Sequence, residues 1–444
     1  MAGTYKPSYA WVVAFSAFLA GISTITGMFV YGYTVAYMAE EFGVTVADMA
    51  IATSMFGALS SGLGFLAGTL ADRFGARSIM GGAIVLLGAF LVIIGFMVTT
   101  PTMFIVLYSI AGIFGACLGG AIVPKLISSW FAPNMRAKGM VINTLGGSGC
   151  AALLGVLIPI VINNFGWRGC FEILGVVLVV CGIVFIVLCR NSPESVGTTP
   201  LGASADYVPE QSVVLTEEEK ATKKKASRGA IVEVLKMPIT WGFALIGVLW
   251  YCYFNGANAF QTAAILQAGY DLTTAGLISS CLMVCIMCSQ VIFSTLSDRF
   301  ASRKAFMGGL CTIAGLLYIG FFFVLGSGSS TAFVILWCCM IGLVSGHAAL
   351  LQTIMAECYP VHLRGTGPGT IVTFTLIGTF FGPLIAAALV NMNGGYNPTA
   401  FAFAGGCLVA AGILIWILLP KTGGKYGDPI AEAEGNNTLK SGIS

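Results

Sequence analysis

Apolar residues in this chain gather into long runs separated by short polar breaks, and within a run they occupy every face of a helix instead of one stripe. A helix that is apolar all round belongs in a large core or in lipid. At 1.5 Å per residue, a run of about 20 residues spans the roughly 30 Å of a bilayer's hydrocarbon. Twelve runs reach that length: 10–36, 48–70, 78–99, 102–128, 140–163, 170–189, 239–262, 275–297, 305–325, 331–356, 366–391 and 399–419. The pattern predicts an all-α membrane protein with twelve transmembrane helices and both termini on one side.

Composition agrees: 57% of the 444 residues are apolar and 9% are charged, where soluble domains carry about a quarter charged. The placement of charge sets orientation, because positively charged loops resist translocation. With the N-terminus inside, the inner side collects Lys6, Arg73, Arg77, Lys125, Arg136, Lys138, Arg190, the 220–236 cluster, Arg299, Arg303, Lys304, Arg364 and the tail lysines, 20 of the 21 basic residues. The outer loops keep Arg168 beside Glu40, Glu41, Asp48, Glu172 and Asp271. Both termini are therefore expected in the cytoplasm, with the chain in the cell's inner (plasma) membrane. The net charge of +3 follows from this topology and marks no nucleic-acid patch. The first run is too long for a signal-peptide core and is kept as a helix.

Nearly all of the fourteen cysteines lie inside apolar runs, where a free Cys acts as a small hydrophobe. Cys281, Cys285 and Cys288, with Met283 and Met287, have the helical spacing of a soft-metal face, but packing is the favoured reading. No metal or cofactor is expected. The chain has no nucleotide-binding loop, metal-ligand cluster or catalytic His/Asp set, so an enzyme is not expected.

The chain repeats itself. Gly68-Thr69-Leu70-Ala71-Asp72-Arg73-Phe74-Gly75-Ala76-Arg77 returns 226 residues later as Ser294-Thr295-Leu296-Ser297-Asp298-Arg299-Phe300-Ala301-Ser302-Arg303, with six of ten positions identical. Phe131 to Arg136 with Gly139 matches Tyr359 to Arg364 with Gly367 at an offset of 228. Two segments in nearly the same register point to duplication. The expected organisation is a six-helix bundle over 1–190, a cytoplasmic linker over 191–236, a second bundle over 237–420 and a tail over 421–444. In the linker, Thr216 with Glu219 forms a capping box ahead of Lys220 and Lys223 to Lys225, which predicts a short surface helix facing solvent or anionic lipid.

The Asp-Arg-Phe loops resemble the G-x-x-x-D-R-x-G-x-R signature of the major facilitator superfamily, with Ala301 replacing the second copy's glycine. That resemblance implies the major facilitator fold, two pseudo-symmetric six-helix bundles, and transport by alternating access. A loop carboxylate that accepts from a helix N-terminus and pairs with an Arg acts as a latch. Asp72, Arg73, Arg136, Asp298, Arg299 and Arg364 are the expected gating residues, with Arg136 or Arg364 as partner of Asp72.

A finer likeness lies in the first half. Tyr9-Ala10-Trp11-Val12-Val13, Ala17-Phe18-Leu19, Trp130-Phe131 with Arg136 and Gly139, and Gly166-Trp167-Arg168-Gly169-Cys170-Phe171 resemble the monocarboxylate porters and the bacterial oxalate/formate-type antiporters. This implies a small organic anion as substrate. The charges typical of the better-known members are absent: the first span has Met28-Phe29-Val30 where they carry a Lys, and the eighth has no charged residue before Asp298. The run Gly146-Gly147-Ser148-Gly149 to Pro159 departs from the antiporter pattern G-x-x-x-G-P-x-x-G-G, so symport and exchange both stay open.

The spans otherwise hold neutral polar groups. His347, the side chain near mid-membrane whose ordinary pKa lies close to neutrality, is the candidate proton carrier or anion donor. Thr24, Gly27, Tyr31 and Thr34 share one face of span one, and Asn255, Asn258 and Thr262 share a face of span seven. Tyr31, Asn255, Asn258, Gln290 and His347 are the expected substrate contacts. Lys125 either snorkels to the interface or attracts a departing anion, and Glu172 is placed to pair with Arg168. The expected activity is secondary transport of a monocarboxylate-like anion by proton symport or anion exchange, as a monomer in the bilayer. A larger amphipathic or aromatic acid, or a neutral metabolite, is the alternative.

Overall fold

The computed structural model describes residues 8–119, 122–132, 135–203, 229–299, 303–360, 363, 366–392 and 398–420. The helices are α1 (Ser8–Phe42), α2 (Ala50–Gly62), α3 (Gly64–Phe74), α4 (Ala76–Met97), α5 (Pro101–Gly115), α6 (Ile122–Trp130), α7 (Arg136–Leu188), α8 (Pro238–Gln267), α9 (Leu272–Arg299), α10 (Arg303–Gly326), α11 (Thr331–Val344), α12 (His347–Glu357), α13 (Thr366–Met392) and α14 (Pro398–Leu418). Seven of these, α1, α4, α7, α9, α10, α13 and α14, are long and apolar enough to cross a membrane alone. Two bent pairs, α2 with α3 (47°) and Gly229–Lys236 with α8 (82°), raise the count to nine.

The twelve runs reconcile with these helices through breaks that apolarity alone does not mark. Run two bends at Leu63, between Gly62 and Gly64. Runs four and ten each split, into α5 with α6 and α11 with α12. Their starts match as well: Thr100 accepts from the Met103 amide (3.3 Å) and Ser330 from the Phe333 amide (3.4 Å), each satisfying an otherwise orphaned helix donor. Runs five and six are the two helical arms of α7, which meet at a kink at Gly166 (φ 70°, ψ 179°), a conformation that favours glycine.

The residues divide into two compact units: Met1–Val208 with Asn258–Met283, and Pro209–Ala257 with Val284–Ser444. In the first, α1 lies against α7 so closely that a Cβ on Gly21 would come 2.6 Å from the Asn143 carbonyl oxygen, and one on Gly146 would strike the Phe18 carbonyl. Gly88 of α4 and Gly175 of α7 pack reciprocally, each 2.6 Å from the other's carbonyl oxygen by the same measure. The second unit repeats the device: Gly378 of α13 meets the Val248 carbonyl of α8, and Gly315 of α10 and Gly405 of α14 are reciprocal at 2.6 Å. Small residues of this kind let membrane helices approach backbone to backbone.

The start of the expected linker is part of the first unit. Pro193–Val196 forms a 3₁₀ turn, the Leu201 amide donates to the Trp130 carbonyl (2.8 Å), and the Ala132 amide donates to the Leu201 carbonyl (3.0 Å). The capping box at Thr216 and Glu219, the adjacent lysines and the tail lie outside the described residues.

Candidate functional site

At the Asp-Arg-Phe end of the first unit, Asp72 of α3 is ion-paired with Lys125 of α6 and not, within that unit, with Arg136 as expected. The correction has a simple cause. Lys125 follows the break in run four, and its stem carries the ammonium to the same end of the bundle. Arg136 donates from Nε to the Phe131 carbonyl (3.3 Å), and the Arg73 guanidinium lies 5.2 Å from the Phe74 ring centroid. Gly75 (φ 85°) has the Asn191 amide pressed against it. Asn191 Oδ1 accepts from the Arg77 amide (2.8 Å), while Arg77 Nε donates to the Ile186 carbonyl (2.7 Å). In the second unit, Asp298 and Arg299 lie at the end of α9. Their side chains, and all of Arg364, lie outside the described residues. Arg303 pairs with Glu357 at 3.0 Å.

The first-half motifs turn out to be packing devices. Tyr9 donates to the Leu188 carbonyl (2.9 Å) and its ring lies 5.4 Å from that of Trp130, whose indole donates to the Arg190 carbonyl (3.0 Å). Trp11 meets Phe131 edge to face at 5.5 Å. At the opposite end, the Trp167 indole donates to Glu41 (2.7 Å). Arg168 donates to Glu41 (2.7 Å) and to the Val98 carbonyl (3.0 Å), with its guanidinium 4.2 Å over the Trp167 ring. Arg168 therefore takes Glu41 as partner, not Glu172, whose methylene packs by Gly95. The Gly-Trp-Arg segment ties the ends of α1 and α4 to the corner of α7.

Mid-span, Tyr31 does not join the other candidates. Gly27 packs on Leu87 and Phe56, and Tyr31 is enclosed by Phe104 and Tyr108 at 6.3 and 5.8 Å, with no hydrogen-bond partner for its hydroxyl among the described residues. The expected polar face of α1 thus points into its own bundle. The neighbouring Gly32 meets α8, where a Cβ would lie 2.8 Å from the Asn258 carbonyl oxygen.

In the second unit the helix that carries Asn255 reaches the break between α11 and α12 through Trp250. The first helical residue after that break is His347, which is buried. The Trp250 indole donates to His347 Nε2 (2.9 Å), so Nδ1 carries the proton, 3.4 Å from the Val344 carbonyl oxygen. A doubly protonated ring would set one donor against another, so His347 cannot take up a second proton and keep Trp250. Asn255 donates to the Tyr251 carbonyl (3.1 Å), and Tyr251 meets Trp250 edge to face at 5.0 Å. Gln290 follows Ser289, whose carbonyl oxygen would be 2.6 Å from a Cβ on Gly346. Phe254 stacks on Trp250, centroids 5.2 Å apart and planes 9° from parallel. Trp250 and Phe254 were missed by a search for polar groups. Their spacing of four residues, continued by Asn258, is the signal that would have found them. Charged residues of the described helices keep to the span ends. Among the described residues no cysteine is paired in a disulfide, and no group of three potential ligands could hold a metal.

Comparison with known proteins bears on these arrangements. A family model described as Major Facilitator Superfamily matches residues 17–267 and 253–443. The chain is 25% identical to a gentisate transporter of Corynebacterium glutamicum over 413 residues (89% of this chain, 85% of that one). It is 24% identical to the membrane sensor protein UhpC of Salmonella typhimurium (85% and 83%). It is also 24% identical to a 3-(3-hydroxy-phenyl)propionate transporter of Escherichia coli (80% and 80%). A crystal structure of a bacterial homologue of the human lysosomal transporter Spinster superposes with a TM-score of 0.70 at 16% identity, covering 93% of this chain and 96% of that one, which establishes the fold. Two of these three sequence relatives are named for aromatic acids, and none for the monocarboxylate or oxalate/formate porters that the first-half motifs resemble.

Proposed function

The chain belongs to the Major Facilitator Superfamily and is a multi-pass membrane transporter, not an enzyme; on that premise we propose that its substrate is an aromatic carboxylate, moved by secondary active transport. The carrying observation is the charge-poor cluster at the α11–α12 break, where the Trp250 indole is bonded to His347 and stacked on Phe254. An apolar ring suits the indole and phenyl surfaces, and its carboxylate or hydroxyl groups suit neutral donors. The gentisate and 3-(3-hydroxy-phenyl)propionate transporters support the aromatic acid over the small monocarboxylate.

Alternating access is gated at the cytoplasmic end by Asp72, Arg73 and Arg136 in one half and Asp298, Arg299 and Arg364 in the other. His347 is the proton-coupling group, and taking a proton means releasing Trp250. The protein acts as a monomer in the plasma membrane with both termini inside, by symport or exchange. Purified protein in liposomes under an inward proton gradient is expected to accumulate labelled benzoate or gentisate in preference to lactate. Asp72→Asn with Asp298→Asn should abolish uptake while the protein still reaches the membrane. Uptake of lactate alone, or full flux in the double variant, defeats the respective half of the reading. The likeness to a membrane sensor favours a second reading, ligand sensing without flux, in which the ligand raises the melting temperature but is not accumulated.

A further inference from the structure

We infer that the short helix Gly229–Lys236, at the entry to α8, is an interfacial anchor that seats the second unit on the anionic phospholipids of the leaflet at the linker end. This goes beyond the substrate reading and does not depend on it.

The helix meets α8 at 82°, so where α8 crosses the bilayer it lies close to the membrane plane. At about 12 Å it is too short to span. One side is built into the bundle: Val234 is fully buried in the second unit's apolar core, and Ala230 and Met237 pack against the same cluster. Three bonds fix the junction. Thr240 Oγ1 donates to the Val234 carbonyl (2.6 Å) and accepts from the Tyr359 hydroxyl (2.8 Å), while the Trp241 indole donates to the Leu235 carbonyl (3.0 Å).

At about 100° per residue, Ala230, Val234 and Met237 share one sector of the helix, Ile231, Leu235 and Val232 the next, and Lys236 and Glu233 the last. In the middle sector Ile231 and Val232 are 40% and 52% exposed, a large apolar surface for a side facing water. Continuity says what covers it. The sector ends at Trp241, which with Leu245 forms the exposed apolar side of α8, the side that lipid covers in a membrane protein. An indole at this level is a marker of the membrane–water boundary. Charge points the same way: Lys236 is exposed, and the 220–228 stretch ahead of the helix carries Lys220, Lys223, Lys224, Lys225 and Arg228 with no acidic residue. An apolar helix side flanked by basic residues favours an anionic leaflet.

The test places p-benzoylphenylalanine at Ile231, Val232 or Glu233 of the full-length protein in nanodiscs of mixed phosphatidylcholine and phosphatidylglycerol. After irradiation, mass spectrometry is expected to find phospholipid attached at 231 and 232, with phosphatidylglycerol above its share of the disc, and loss of the adduct at 233. Independently, Ile231→Asp with Val232→Asp should lower the melting temperature in the discs, because carboxylates would be pressed against anionic headgroups and acyl chains; on a side facing water the exchange is neutral. The inference is overturned by equal adducts at all three positions, by none at 231 and 232, or by attachment to a second copy of the chain. Adducts that mirror the lipid mixture, or unchanged melting of the double variant, overturn it as well. None of these outcomes bears on the substrate reading, whose failure shows instead as uptake of lactate in place of benzoate.

Discussion

Gly75 answers two demands at one position. Its φ of 85° with ψ of 146° lies in a region that is nearly glycine's alone, where a side chain costs about 1–3 kcal/mol, and the space a Cβ needs is filled by Asn191, which is itself bonded to the Arg77 amide. Gly75→Ala is expected to lower the melting temperature in detergent. Gly82→Ala, with open space around its Cβ position, should not, and equal melting of the two would remove the argument. Legibility at this scale was uneven. The Asp-Arg-Phe signature pointed to the right glycine because it encodes a turn. Tyr31, expected at the substrate, is enclosed by Phe104 and Tyr108, for a 3.6-residue period tells which residues share a face of α1, but not whether that face meets the bundle's own helices or a substrate. Trp250 went unnoticed for a related reason: in a chain that is 57% apolar, one more aromatic carries no contrast.

Among the elements, α4 and α10 allow a matched experiment. Gly88 and Gly315 each touch a partner helix backbone, whereas Gly82 and Gly309 face open space. Gly88→Val and Gly315→Val should each cost about 1–3 kcal/mol by overpacking and cut the yield of monodisperse protein. Gly82→Val and Gly309→Val should leave that yield unchanged. At the start of α9, Asp271 accepts from Thr274 Oγ1 (2.5 Å) and from the Thr273 and Thr274 amides (3.1 and 3.2 Å). The Thr274 hydroxyl bond leads in holding its carboxyl below the usual aspartate value. A depressed folded value means that the unfolded chain binds the proton more tightly, so this support is fully present above the ordinary aspartate range and is lost as pH falls through the folded value. Amide exchange at Thr273 and Thr274 should therefore quicken on acidification relative to mid-helix amides. The run lengths forecast the helices well, since lipid demands about 20 apolar residues. The breaks in runs four and ten escaped notice because the sequence stays apolar through them, and only packing decides where the hydrogen-bond ladder is interrupted.

For the whole molecule, duplication goes deeper than the loops that first disclosed it. Gly88 and Gly315 are 227 residues apart and Gly175 and Gly405 are 230 apart, so the same close helix pairing is built twice although the surrounding side chains have diverged. The first-half motifs, by contrast, pointed toward monocarboxylate porters because they specify how bundle ends are tied: Trp130 to Arg190, and Arg168 to Glu41. Scaffold and cargo are written in different residues, and the former were easier to read. The bonds of Leu201 to Trp130 and Ala132 have one more consequence. They shift the point at which the halves become genetically separable from residue 191 to beyond residue 203. A gene divided near codon 215 should yield two polypeptides that reassemble and transport when co-expressed. A division at codon 191 strips the first product of its Leu201 cover, and complementation should fail.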